Sequence, residues 1–394
     1  MISRRRFCAA IPGLLSLPAA RAAGDAAACV LVTAAEARRM RDKLGAKAAI
    51  IRKNADAAMS AGPWSVTTHR PENVSAGPHD YYSEGPYWWP DPKNPKGPYI
   101  RKDGERNPGR FLGNRNDLGS MCTAALALGM GAYFLGEKRY AERAGLVLST
   151  WFVNPETRMA PNLEYGQAVR GINTGRGTGI IDTVSMIHTA QGAALLELEG
   201  MLDSKVSAGV HQWFAEYMKW MTTSGKGLDE KKSGNNHMTW WTAQVAAYAT
   251  LVGDSAQKSM CWDYYRNHLV ATEVQPDGSC PREEARTQSL SYSSMNLDAF
   301  ATVCRIAETN GVSLWKYRPA KGIGIETAFR YLMPYVAHPD TWKKQQITKY
   351  NSDSYVFPGL AGAGLHSEEL MAAYRQLPRS TSPWVQFVDL AVAV

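Results

Sequence analysis

Between residues 118 and 336, apolar residues recur at helical spacing in segment after segment, and sustained period-two alternation is nearly absent. Residues 121–135 form an Ala/Leu-rich run that stops at Gly136. Residues 138–152 resume with Tyr140, Ala144, Leu148 and Trp151 on related faces. Residues 180–202, 206–222, 238–252, 257–270, 288–309 and 327–336 follow in the same style, with 225–234 reading as a charged loop. Helices of this length joined by short loops fold back on one another, so the predicted fold class is all-α, with helical hairpins wound into a toroid or solenoid. No fixed-length repeat marks an ankyrin or tetratricopeptide array. Upstream, residues 33–61 predict one helix or two. Residues 350–360 are more broken, and the apolar C-terminal end is expected to pack back onto the body.

One stretch breaks the helical pattern. Residues 63–108 are interrupted by Gly-Pro, Trp-Pro and Asp-Gly steps yet carry Tyr81, Tyr82, Tyr87, Trp88, Trp89 and Tyr99. An aromatic loop of this length inside a compact chain reads as functional rather than as a linker. The N-terminus is a separate matter. Residues 1–22 combine three arginines, an apolar run and small residues ending in Ala22, the plan of an export signal, and Arg4, Arg5 and Arg6 resemble the twin-arginine type. The expected division is a leader at 1–22 and one catalytic domain at 23–394, exported to the periplasm or secreted.

The formal net charge is +8. Arg4, Arg5, Arg6 and Arg21 belong to the leader, which leaves the remainder near about +4, mildly basic and without a dense Lys/Arg run. A nucleic-acid partner is not expected, nor is a stable membrane anchor, and nothing signals an oligomeric state. Cys29, Cys122, Cys261, Cys280 and Cys304 follow the leader at wide spacings with no zinc-type cluster. One or two disulfides among these five, involving Cys261, Cys280 or Cys304, are expected in an oxidising compartment.

Three groups of residues carry chemistry. In Gly234-Asn235-Asn236-His237, an asparagine caps the helix that follows, which places His237 in its first turn, where an anion is favoured. The plain alternative is a cap and a packed imidazole. In the segment 281–292, Arg286 lies six residues before Tyr292, at the start of a helix, and its guanidinium suits a carboxylate. The alternative is neutralisation by Glu283 or Glu284. The third group gathers Asn114, Arg115, Asn116 and Asp117 with Glu164, Tyr165, Arg170 and Arg176 at helix edges, and His188 in a mostly apolar helix, where a satisfied core histidine competes with a site residue.

Five segments in order, YYSEGPYWWPDP (81–92), APNLEYGQ (160–167), GRGTGIIDT (175–183), NNHMTWW (235–241) and ARTQSLSYSSMNLDA (285–299), resemble the alginate lyase family of polysaccharide lyases. The Arg-to-Tyr spacing is one residue shorter than in the best-known members, which also brings in a neighbouring mannuronan or glucuronan lyase family. The resemblance implies an incomplete (α/α) toroid with a deep cleft, an acidic polysaccharide as partner, no metal or other cofactor, and Asn236, His237, Arg286 and Tyr292 as catalytic residues. Arg115, Asn116, Tyr165, His188 and Gln288 are the accompanying candidates for substrate binding, with Tyr82, Trp88 and Trp89 as a wall or lid for sugar rings.

β-Elimination from a 4-linked uronate needs those residue types. The C5 proton is acidic only through the neighbouring carboxylate, so donors must neutralise that group and then hold the enolate that forms. Tyr292 can serve as both base and acid, or His237 can take the proton and Tyr292 return one to O4. The rivals are a glycoside hydrolase using two of Asp117, Asp182, Glu164 and Glu284, and a non-catalytic polysaccharide-binding protein.

Overall fold

The computed structural model describes residues 28–319 and 322–394. The expected leader at 1–22 lies outside the described residues. The N-terminal elements are a two-stranded antiparallel ladder of β1 (Ala28–Cys29) and β2 (Val32–Thr33), then α1 (Ala34–Asp42) and α2 (Lys47–Met59). Thr33 and Glu36 form a reciprocal capping box at the start of α1, and Gly45, with a φ of 50°, breaks the chain before α2, so the segment 33–61 is two helices rather than one.

The body is a succession of helices. In chain order these are α3 (Gly113–Leu135), α4 (Lys138–Leu148), α5 (Met186–Leu198), α6 (Ser204–Thr223), α7 (Gly225–Lys231) and α8 (Asn236–Val252). They continue with α9 (Ser255–Tyr264), the short α10 (Val270–Glu273) and α11 (Pro281–Glu284), α12 (Ser289–Thr309) and α13 (Ile325–Ala337). The chain closes with α14 (Phe357–Leu365), α15 (Glu368–Gln376) and α16 (Pro383–Ala391).

Two kinds of helix build the toroid. The inner row α3, α5, α8, α12 and α14 packs each helix on the next, while α2, α4, α6, α9, α13 and α15 lie outside it. Inner helices are buried on most sides: in α8 every residue from Met238 to Leu251 is buried. Outer helices bury one stripe, as α13 does with Ile325, Ala328, Phe329, Leu332, Met333 and Val336. By length and composition α3 is apolar enough to cross a membrane, but 78% of its apolar window is buried inside the fold, which makes it a core helix. It meets α5 backbone to backbone. A Cβ on Gly192 would sit 2.6 Å from the Ala125 carbonyl oxygen, and one on Gly129 would sit 2.6 Å from that of Gly192.

Two expectations are corrected. Residues 225–231 form α7 rather than a loop, because the Ser224 side chain caps Gly227 N–H and Glu230 is buried. The five described cysteines are all free and buried; Cys304 donates to the Tyr265 hydroxyl at 3.3 Å and Cys29 accepts from Gln191 at 3.3 Å. They are buried fillers on separate elements, and burial pushes the Cys122 thiol up to about 11.

The aromatic loop is not structureless. Within it β3 (Tyr82–Glu84) pairs in parallel with β6 (Tyr165–Ala168), and β4 (Trp88–Trp89) pairs antiparallel with β5 (Ile100–Arg101). These two ladders lay the aromatic segment across one end of the helices.

Candidate active site

Helix α8 begins at the site. The Asn235 side chain caps it, accepting the His237 N–H at 3.3 Å, which fixes Asn236 and His237 in the first turn as expected. His237 turns Nδ1 toward Glu230 of α7, donating to its carboxylate at 2.6 Å, with Glu230 only 3% exposed. Burial pulls the imidazole down, but the Glu230 charge and hydrogen bond outweigh it, and His237 ends above the ordinary histidine value. With Nδ1 occupied, Nε2 is the nitrogen left for a ligand.

Asn236 is fully buried and clamped by Glu283 of α11. Its backbone N–H donates at 2.6 Å and its side-chain amide at 2.8 Å, while its Oδ1 has no partner. Burial raises the Glu283 carboxyl, and both His237 and Arg286 act to lower it. The field of Arg286 likewise reaches His237. The Asn-His and Arg-Tyr pairs, some fifty residues apart in sequence, therefore form one cluster.

Arg286 lies just before α12, and Tyr292 lies in its first turn. The guanidinium carbon is 3.8 Å from the centroid of the Tyr292 ring. Its carboxylate partner is neither Glu283 nor Glu284 but Asp103 of the aromatic loop. Nε and Nη2 reach Asp103 at 3.0 and 2.8 Å, and Asp103 is held down at about 2 against its burial. The same turn takes the Thr287 hydroxyl at the Asp103 carbonyl and the Gln288 amide at the Gly104 carbonyl, 2.9 and 2.7 Å. Gly104 has a φ of 76°, and a Cβ there would meet the Thr287 hydroxyl, so the turn and the start of α12 are fitted together. Tyr292 donates its hydroxyl to Tyr87 at 2.5 Å. Burial and Tyr87 raise the Tyr292 phenol well above the ordinary tyrosine value, and Arg286 pulls it back only in part.

Asp182 is the second hub. It accepts from Tyr81 at 3.1 Å, Ser83 at 2.6 Å and Gln167 at 3.1 Å, and Arg115 approaches at 3.5 Å. The turn 177–183 that carries Asp182 packs on α7, where a Cβ on Gly177 would stand 3.2 Å from the Glu230 backbone nitrogen, so this hub adjoins the first cluster.

The remaining expected binders divide. Arg176 stands 5.8 Å over the Trp88 ring, and Lys102 stands 4.8 Å over Trp89, whose indole donates to the Glu105 carbonyl. Asn116 is exposed beside Arg115, and both line a cavity of about 710 Å³. Tyr82 and Tyr165 line a different cavity of about 500 Å³, where the Tyr82 hydroxyl is taken by Glu84. Gln288 braces the loop rather than facing a cleft, since both ends of its amide are bonded within the protein, to Gly104 and Thr348. His188 joins neither cluster: its ring stacks on Trp384 of α16 at 4.1 Å, and burial drives its pKa down to about 3. The residue as a whole keeps part of its surface exposed.

The four carboxylates that a hydrolase would need are each engaged inside the protein. Asp117 is paired with His69, Glu164 with Lys226 and Trp220, Glu284 with Lys344 and Cys280 N–H, and Asp182 with the groups above. No group of three His, Cys, Asp or Glu side chains arranged to hold a metal occurs among the described residues.

Sequence reasoning missed four partners: Glu230, Glu283 in its actual role, Asp103 and Tyr87. Glu230 stands in a segment that reads as a charged loop and Asp103 in the aromatic loop, so only the fold reveals what they face.

A family model described as Alginate lyase matches residues 65–342. The chain is 32% identical to an alginate lyase from Bacteroides ovatus, over 91% of this chain and 98% of that one, with a TM-score of 0.85. Alginate lyase A1-III from Sphingomonas species A1 is 16% identical over 85% and 92% of the two chains, with a TM-score of 0.57. A histidine-to-alanine variant of alginate lyase A1-III complexed with tetrasaccharide is 16% identical over 92% and 93%, with a TM-score of 0.60. At that identity the last two are likenesses of fold. No curated protein sequence matches.

Proposed function

The chain belongs to the alginate lyase family and is a polysaccharide lyase, and from that premise we propose that it cleaves a 4-linked uronate polymer, mannuronan or glucuronan, by β-elimination at the Asn236, His237, Arg286 and Tyr292 cluster. The observation that carries this reading is the stacking of Arg286 on Tyr292 at 3.8 Å, beside an imidazole anchored on a buried carboxylate.

His237, held above its ordinary pKa by Glu230, is suited to be an imidazolium that gives an Nε2 hydrogen bond to the substrate carboxylate. The Asn236 amide, fixed by Glu283, adds a second donor. Together they neutralise the carboxylate and hold the enolate as charge moves onto it. Glu230 and Glu283 are positioning residues. Tyr292 takes the C5 proton and delivers one to the departing O4, which one group can do because both lie on the same face in mannuronate and glucuronate. Arg286 lowers the cost of the phenolate, and Tyr87 supports it by reversing the hydroxyl contact and donating. Trp88 and Trp89 form part of the wall over the sugars.

A relative with this fold that is complexed with tetrasaccharide supports a cleft holding several sugar units. On the same reading, residues 1–22 export the protein to the periplasm or beyond, and 23–394 act as one catalytic domain. Polymannuronate and glucuronan, incubated with the protein, are expected to yield products with the new ultraviolet absorbance of a 4,5-unsaturated uronate. New reducing ends without that absorbance on every uronate polymer overturn the reading.

A further inference from the structure

The cavity of about 710 Å³ begins at the Arg115–Asp182 pair and runs along α3. Its floor is a stripe of α3 residues at successive turns, Asn116, Ser120, Thr123 and Ala127, with α2 on one side and Pro383 at the start of α16 closing the far wall. From Arg115 to Ala127 the helix advances about 18 Å, longer than one sugar ring. Trp64 is half-buried and presents an aromatic surface to this space. Gly119 lies in the stripe, and a Cβ built there meets nothing within 4 Å.

The charge of this groove differs from that of the catalytic cluster. Arg115 is its one cation and is already paired with Asp182. Apart from that pair the lining is uncharged, with the amides Asn54 and Asn116, small and hydroxylated residues, and Trp64. A lining of that kind binds sugar faces and hydroxyls by stacking and neutral hydrogen bonds, and the exposed rim at Asn116 and Thr123 leaves carboxylates in water.

We propose that this groove along α3 is a distal subsite that holds units of the uronate chain beyond the bond being cleaved, recognising ring faces rather than carboxylates. The proposal rests on the lyase reading for its ligand class, since the groove opens from the Asp182 hub that adjoins the candidate active site.

Gly119 supplies a test, because a larger side chain there projects into open space and a helix-interior glycine is no aid to the helix. Titration calorimetry with oligouronates of two and of six units, in the Tyr292→Phe background, reads affinity against length. Affinity is expected to rise at least tenfold with length, and Gly119→Phe is expected to abolish that rise while leaving the two-unit affinity unchanged. Gly119→Ala, too small to fill the groove, keeps the rise, and an unchanged melting temperature confirms folding. No gain with length, or a gain that survives Gly119→Phe, overturns the subsite. Loss of two-unit affinity in Gly119→Phe overturns it as well, because the groove would then belong to the catalytic subsite. None of these outcomes depends on an unsaturated product, so a failed lyase reading is seen separately.

Discussion

The Arg286 guanidinium lies flat enough over Tyr292 to stand 3.8 Å from its ring centroid, while two of its nitrogens are bound by Asp103. The aromatic loop therefore holds the cation against the phenol, which on the proposed mechanism it helps to ionise. Removing the phenolic oxygen is expected to cost more than any other change. Tyr292→Phe keeps the ring stacked and the helix intact but loses both proton transfers, so kcat should fall about 10³-fold or more. Rate of absorbance gain, normalised to folded protein, checks this; near-wild-type turnover would remove Tyr292 from the mechanism.

Arg286→Lys keeps the charge and discards the planar fork. Lysine cannot bind Asp103 through two parallel N–H groups and stack on the ring at the same time. Turnover is expected to drop at least tenfold, with the alkaline rise in rate that reports phenolate formation displaced to higher pH. An unchanged pH profile in Arg286→Lys would show that the contact with Tyr292 is packing alone.

The pH dependence of His237 has a definite sign. Glu230 and Glu283 push its pKa up, and Arg286 and burial push it down, with a net rise. The imidazolium thus persists to higher pH than a free imidazole and is lost as pH rises through the raised value. Glu230→Gln can still accept from Nδ1 but carries no charge, so the imidazolium should be lost at lower pH. The expected outcome is an alkaline limb of the rate profile moved toward acid, with Glu230→Asp restoring much of it. A purely structural glutamate would change melting temperature and leave the limb in place.

Asp103 works in the opposite direction. Its pKa is held down at about 2 by Arg286, so the pair is intact above the ordinary carboxylate range and is lost as pH falls through the depressed value. Protonation, or Asp103→Asn at neutral pH, should free the turn at Asp103 and Gly104 from the start of α12. Faster amide hydrogen exchange across residues 87–107, with the inner helices still protected, is the expected signature.

How far these features could be read in advance depends on the range of the interaction. Local rules were enough for the His237 turn, because Asn235 caps α8 from two residues away. They were enough as well for the all-α class, because apolar residues recur at helical spacing along each inner helix. The registers between distant segments were not legible. Asp103 meets Arg286 across 183 positions, and Tyr87 meets Tyr292 across 205. No periodicity announces such a pairing. Glu230 was hidden differently: α7 is seven residues long, carries two glycines and charges, and is a helix because Ser224 caps it and its neighbours bury it. His188 read equally as core or site, and its stacking partner Trp384, nearly two hundred residues on, was not legible either.

The contact between α3 and α5 extends the same lesson to stability, since the toroid's inner row depends on helices that approach without side chains between them. A methyl on Gly192 would stand 2.6 Å from the Ala125 carbonyl oxygen and 3.0 Å from the Leu126 Cα, both backbone atoms that cannot rotate away. Gly192→Ala gains helix propensity of about 1 kcal/mol, yet the helices must separate, and overpacking of this kind costs about 1–3 kcal/mol. The steric term should win, because α3 is held by α2, α4 and α16 as well as by α5. Gly192→Ala is therefore expected to lower the melting temperature by several degrees, and Gly192→Val by more. Gly200, where a Cβ meets nothing within 4 Å, is the control for glycine replacement itself. Its φ of 61° makes Gly200→Asn the suitable choice, and that variant should melt close to wild type. A Gly192→Ala protein as stable as the parent would mean that the two helices are not held at backbone contact in solution.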